Sequence, residues 1–232
     1  MKSKVDQLLN LARQGPVRAR DLDAAGIPRT YLLRLCKRGL LERIDRGLYG
    51  LVGAEVTELH SIAVVAKRVP HATICLISAL QIHGLTTEAP HAVWLMIDRH
   101  AHMPRLSHLQ LDVVRASGRA RDHDVQRRLI EGVEVRLTGP AKTVADCFRY
   151  RSRVGHDVAL EALRDFLSRS RGRAARTAAT EIAKGLRPDT AYGVSRETDE
   201  RHRQGYGMDA LIEAARADRV YPLMRPYLEA LS

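Results

Sequence analysis

Residues 15–51 read GPVRARDLDAAGIPRTYLLRLCKRGLLERIDRGLYGL, and this stretch decides how the rest of the chain is understood. A short helix leads into Gly26-Ile27-Pro28, where a glycine tolerant of positive φ ends one helix and a first-turn proline opens the next. The second helix is expected over Pro28 to Arg38, closed by Gly39. Leu40 to Ile44 and Gly47 to Leu51 then form two strands joined at Asp45-Arg46-Gly47, a hairpin signal that puts Arg46 at its tip. Helix, tight turn, helix and hairpin together spell a winged helix-turn-helix.

Periodicity separates two faces of the second helix. At about 100° per residue, Leu32, Leu35 and Cys36 fall on one side, and Thr30, Leu33, Arg34, Lys37 and Arg38 on the other. The first side packs and the second is basic and free. In helix-turn-helix proteins the second helix enters the major groove, where Arg reads guanine edges and an apolar group meets a thymine methyl. Arg34 and Leu33 suit those roles, with Arg29, Thr30, Tyr31, Lys37 and Arg38 around them, while Arg43 and Arg46 are placed to hold phosphate.

Charge points the same way. The 232 residues carry a net +11 and a sequence pI near 10.1, which favours a polyanionic partner over an acidic small substrate. Residues 1 to 52 hold 11 Lys or Arg against 5 Asp or Glu, a net +6, so more than half the excess lies in under a quarter of the chain. Val5, Leu8, Leu9 and Ala12 space out a first helix over residues 2–14, completing a small domain from 1 to 52. At 45% hydrophobic content the remaining residues, 53–232, can bury a second core of their own.

That larger part reads as mixed, giving an α+β chain: an N-terminal winged helix followed by a small β-sheet covered by helices. Val56 to Val69 and Thr73 to His83 are expected as helices, the second closed by Gly84. Strands follow at Ala92–Ile97, Leu109–Val114 and Val133–Leu137, with exposed loops at His100–Pro104 and Ser117–Asp124 between them. Pro140 opens another helix, and further helices are expected at Gly155–Ser168, Arg171–Lys184, Met208–Ala217 and Val220–Leu231. The polar segment from Gly185 to Gly207 reads as a mobile loop.

Chemistry finds little support. Cys36, Cys75 and Cys147 are widely spaced and lack a CxxC partner, as buried thiols of a cytoplasmic protein would. Neither His100 with His102 nor His83 with His91 has zinc-site spacing, so no metal or other cofactor is expected. Ser78 and Ser107 lack a nucleophile-elbow frame, and no glycine-rich phosphate loop is present. Asp112 followed by Glu134-Val135-Arg136 has the outline of a nuclease site, which would need its carboxylates to converge on Mg²⁺. That is the alternative function. No apolar run is long enough to cross a membrane.

Two basic groups in the larger part are candidate anion-binding or antitoxin surface. Lys142 and Thr143 lie near a helix start with Arg149 two turns on, and Arg171, Arg173 and Arg176 begin another, where cations oppose the helix dipole and an anionic partner would offset them. The local alternative for the first group is that Lys142 and Thr143 cap and solvate the helix while Asp146 pairs with Arg149.

Five stretches give the chain a family resemblance: Gly39–Tyr49, Ser78-Ala79-Leu80 through His83-Gly84-Leu85, Pro140–Arg149, Asp157–Leu163 and Arg225–Leu231. In their order and spacing they resemble the AbiEi-type antitoxins of type IV toxin–antitoxin systems. The resemblance implies a transcriptional autorepressor, without enzymatic activity, that binds inverted repeats in double-stranded DNA of its own promoter. It also implies a protein that counteracts a nucleotidyltransferase-like toxin without requiring a stable complex with it. Apart from the resemblance, a monomer or weak dimer is expected, with room for cooperative binding on DNA.

Overall fold

A computed structural model describes residues 3–54, 57–183 and 206–231, with the backbone alone for 173–183. The first helix, α1 (Lys4–Gln14), starts with a capping box: Ser3 Oγ accepts the Asp6 N–H at 3.1 Å and Asp6 Oδ2 accepts the Ser3 N–H at 3.2 Å. There follow β1 (Val17–Arg18), α2 (Ala19–Ala24), α3 (Thr30–Lys37), β2 (Leu41–Asp45) and β3 (Leu48–Leu51). The strands form a sheet in the order β1-β3-β2. Leu8, Ala12, Val17, Leu22, Ile27, Leu32, Leu35 and Leu41 make the core between helices and sheet, the larger of them each contributing roughly 1.5–3 kcal/mol by burial.

Two boundaries differ from the sequence reading. The second helix starts at Thr30, because Pro28 and Arg29 are taken up in a tighter turn whose carbonyls accept the Tyr31 and Leu32 N–H groups at 3.1 Å each. Val17 and Arg18 pair with Tyr49 and Leu48 as a third strand, too short to leave a periodic signal.

The chain continues through α4 (His60–Arg68), β4 (Thr73–Ile74), α5 (Leu76–His83), β5 (Val93–Asp98), β6 (Leu111–Ala116), α6 (Arg119–Asp122), β7 (Val125–Ile130) and β8 (Val133–Thr138). The five strands form a second sheet in the order β6-β5-β4-β8-β7. β5 runs parallel to β6 and antiparallel to β4, while β4 and β8 are parallel. The helix expected to start at Val56, itself outside the described residues, is observed as α4 from His60, and the helix expected from Thr73 is a strand followed by α5, which ends on Gly84 at φ 65°. The loop expected at Ser117–Asp124 holds the short α6. β7 was not legible either. It meets β8 through Glu131 and Gly132, both at positive φ (45° and 67°), the backbone that a two-residue hairpin turn requires.

The last helices are α7 (Pro140–Arg149), α8 (Arg151–Val154), α9 (His156–Ala183), α10 (Met208–Ala217) and α11 (Tyr221–Leu231). Pro140 sits in the first turn of α7, and α7 packs against α5, α9 and α10. One helix of 28 residues stands where two were expected. Arg171, Arg173 and Arg176 therefore lie along its length and not at a helix start, where the dipole would oppose their charge. The loop expected at Gly185–Gly207 falls, but for its last two residues, outside the described residues.

Two compact units share this chain without following its order. The first comprises residues 1–74, 90–116 and 126–137, and so holds both sheets; the second comprises 75–89, 117–125 and 138–232. The architecture is α+β, with small sheets and many helices. No helix among the described residues is long and apolar enough to cross a membrane.

Candidate nucleic-acid interface

The two faces of α3 are sharply different. Leu32 and Leu35 are 2% and 0% exposed, whereas Leu33 is 63% exposed, and Thr30, Arg34, Lys37 and Arg38 are open to solvent. A leucine so exposed on a helix flanked by three cations gains nothing from its own fold. The Arg34 guanidinium lies 6.0 Å from the centre of the half-buried Tyr31 ring, which restrains an otherwise flexible side chain. Arg29, just before α3, is exposed and ion-paired with Asp23, whose carboxyl that guanidinium holds below the usual range. Such a pair in open solvent is weak and readily exchanged for another anion.

Beside α3 the β2–β3 hairpin pairs Leu41 with Leu51, Glu42 with Gly50 and Arg43 with Tyr49, then skips one residue so that Asp45 faces Leu48. Ile44 is the extra residue of the bulge, which bends the hairpin toward its tip. Gly47 adopts φ 74° in the turn, and Arg43 and Arg46 stay exposed. Asp45 is only 8% exposed. Its Oδ1 accepts the Arg46 N–H at 2.7 Å and the Ser107 hydroxyl at 3.1 Å, and its Oδ2 lies 3.8 Å from Arg68 Nε.

Other contacts within the first unit seat these helices. The Arg18 guanidinium donates to the Lys67 carbonyl at 2.8 Å, and Lys67 Nζ lies 2.8 Å from Asp21. Burial raises the Asp21 carboxyl, but Lys67 and the Arg18 N–H and guanidinium outweigh it and leave it below its ordinary range. At the β7–β8 turn, Glu131 accepts the Thr57 N–H and hydroxyl at 2.8 Å each and pairs with His60 Nδ1 at 2.7 Å. Local sequence could not reveal these partners, since Thr57 and Glu131 are 74 residues apart.

The second candidate group is placed differently from its reading. Lys142 and Thr143 are both 0% exposed, which corrects their assignment to a surface and equally the idea that they merely solvate the helix. Lys142 Nζ bonds Asp146 Oδ1 at 3.1 Å and Asp218 at 3.2 and 3.3 Å. Arg149, expected to pair with Asp146, lies 3.7 Å from Asp218 Oδ1 instead. Thr143 turns its hydroxyl back onto the Gly139 carbonyl at 2.7 Å. The anion at the start of α7 is the chain's own: the Asp124 carboxyl lies so close over Gly139 that a Cβ there would be 2.0 Å from Oδ2. Arg171 is exposed and bonds the Leu231 carbonyl, while the side chains of Arg173 and Arg176 lie outside the described residues.

Neither is the nuclease outline assembled. Asp112 lies on β6 and Glu134 on β8, with β5 and β4 between them. Three strand spacings put their backbones roughly 14 Å apart, too far to share an ion, and Glu134 pairs with Arg127 at 2.9 Å. No group of three His, Cys, Asp or Glu side chains among the described residues is arranged to hold a metal. Cys36, Cys75 and Cys147 are free thiols.

Residues 6–52 match the family model described as a transcriptional regulator, AbiEi antitoxin. The match covers α1 through β3, about a fifth of the chain, and contains the exposed face of α3 and the β2–β3 hairpin. It supports a regulatory role of the antitoxin type. No curated protein matches the chain.

Proposed function

With that match as premise, we propose that the chain is a DNA-binding transcriptional autorepressor and antitoxin of a type IV toxin–antitoxin system. In this reading residues 1–52 are a winged helix-turn-helix that binds inverted repeats in the chain's own promoter. Residues 53–232 carry the antitoxin function against a nucleotidyltransferase-like toxin. The observation that carries it is the exposed Leu33-Arg34 pair, with Lys37 and Arg38, on a helix whose opposite side buries Leu32 and Leu35 and half-buries Cys36.

The mechanism is binding, not chemistry. α3 enters the major groove, Arg34 donates two hydrogen bonds to a guanine edge, and Leu33 packs on a thymine methyl. Arg43 and Arg46 on the hairpin grip phosphate and fix the register without reading sequence. Inverted repeats let two copies of a monomer or weak dimer bind side by side, so that occupancy shuts off transcription. Neutralisation of the toxin proceeds without a lasting complex between the two proteins, in the cytoplasm.

A mobility-shift titration with the DNA immediately upstream of the gene tests the reading. Saturable retardation at concentrations at least tenfold below those needed for a shuffled duplex of equal length is expected. Equal affinity for both duplexes would remove the repressor reading.

A further inference from the structure

The loop between β5 and β6, residues 99–110, lies wholly within the first unit, and its composition is one-sided. From residue 99 to 111 the chain contains Arg99, Arg105, His100, His102 and His108 and no acidic residue. Its start is fixed by Arg115, whose Nη1 donates to the carbonyls of Asp98, Arg99 and Ala101 at 3.3, 2.9 and 2.7 Å. Its far end is fixed to the β2–β3 hairpin, because the Ser107 hydroxyl donates to the carboxylate oxygen that also accepts the Arg46 N–H. Leu106 and Leu109 flank Ser107 and close over Ile44 and Val64 around an apolar cavity of about 90 Å³.

A loop tethered at both ends holds its side chains in set positions, and Arg105 is exposed two residues from the tether. Counting two chain steps from Ser107 and the shared Asp45 oxygen, the backbones of Arg105 and Arg46 are within roughly 15 Å. With the phosphates of one strand spaced ~3.4 Å apart along the helix axis, that distance puts the two arginines over phosphates no more than about four nucleotides apart. Arg105 and Arg99 form no ion pair among the described residues that would neutralise them.

We propose that the loop of residues 99–110 is part of the DNA interface, with Arg105 gripping a backbone phosphate a few nucleotides from the one held by Arg46, and Ser107 acting as the positioning residue through Asp45. This rests on the DNA-binding reading above and adds a contact from outside the family-matched stretch. The occupant is the phosphodiester backbone, because the loop offers cations and ring N–H donors at its surface without the base-reading geometry of a helix in a groove.

The test uses the full chain and four variants, Arg105→Gln, Ser107→Ala, Arg46→Ala and Arg34→Ala, with binding isotherms on operator and shuffled duplexes across a salt series. Arg105→Gln is expected to lose about 3–10-fold on both duplexes and to lower the slope of log K against log salt by about 0.9. Ser107→Ala keeps every charge and is expected to lose affinity in the same direction with its melting temperature unchanged. Should Arg46→Ala weaken binding while Arg105→Gln leaves affinity and slope at wild-type values, the loop inference is overturned and the repressor reading stands. If none of the arginine variants changes binding, both fall. An Arg105→Gln protein that binds DNA normally but no longer relieves toxicity would assign the loop to a protein partner, and that too overturns the inference.

Discussion

Gly132 lies so close to the Gln14 carbonyl oxygen that a Cβ on the glycine would stand 1.6 Å from it. The approach is reciprocal, since a Cβ on Gly15 would stand 1.9 Å from the Glu131 carbonyl oxygen. The end of α1 and the turn between β7 and β8 therefore meet backbone to backbone. Gly132→Ala combines a left-handed φ of 67° with that collision, and is expected to destabilise the protein by roughly 2–5 kcal/mol. Urea denaturation measures it; a loss under 1 kcal/mol would show that the turn detaches from α1 at little cost.

The same turn carries a pH dependence. Burial raises the Glu131 carboxyl, but the Thr57 N–H and hydroxyl and the His60 ring outweigh it, leaving it below its ordinary value of 4.5. A carboxyl whose folded pKa is depressed adds stability above the unfolded pKa and loses it as pH falls through the folded one. Glu131→Gln should thus cost roughly 1 kcal/mol near pH 7, and the difference from wild type should shrink below about pH 4.5. A difference that stays constant from pH 7 to pH 3 would place its cause in packing.

Lys142 is fully buried, a cation enclosed among the large side chains of the core. Burial pushes the Asp146 carboxyl well above the usual carboxylate range; Lys142 opposes that and Asp218 reinforces it. Removing Lys142 leaves the two buried carboxyls facing each other with only Arg149, 3.7 Å from Asp218, to oppose them. Lys142→Met is expected to cost about 3–5 kcal/mol, whereas replacing Lys142, Asp146 and Asp218 together by apolar residues of similar volume should recover most of it. Thermal unfolding of both proteins decides the matter, and a single variant as stable as wild type refutes the account.

The two arginines of the proposed interface should fail in different ways. Arg34→Ala is expected to cost roughly 1–3 kcal/mol on operator DNA and less on random DNA, lowering specificity. Arg46→Ala should weaken both equally and reduce the salt slope by about 0.9. An unchanged operator-to-random ratio for Arg34→Ala would mean that Arg34 does not read a base.

What could be read in advance follows from where each signal lives. The α3 face was legible because helical periodicity is local, and Gly84 because an αL terminus favours glycine. β4 was hidden inside an apolar run that looks alike as strand or helix. β7, Val-Gln-Arg-Arg-Leu-Ile, has no alternation, and its Leu129 is 76% exposed. α9 reads as two helices parted at Arg169-Ser170, where polar residues interrupt the apolar stripe, yet such residues carry only a small helix-propensity cost and the helix runs on through them. The burial of Lys142 depends on Asp218, 76 residues away, so local spacing pointed to a surface site where the fold built a closed one.

Asp21 reaches Lys67, Asp45 reaches Ser107, and the end of α1 rests on the turn at Glu131 and Gly132. A chimera that borrows residues 1–52 from another regulator to acquire its operator would leave those sockets without matching plugs. On the proposed DNA-binding reading, retargeting this protein is therefore better attempted by exchanging only Leu33, Arg34, Lys37 and Arg38, whose side chains lie on the exposed side of α3.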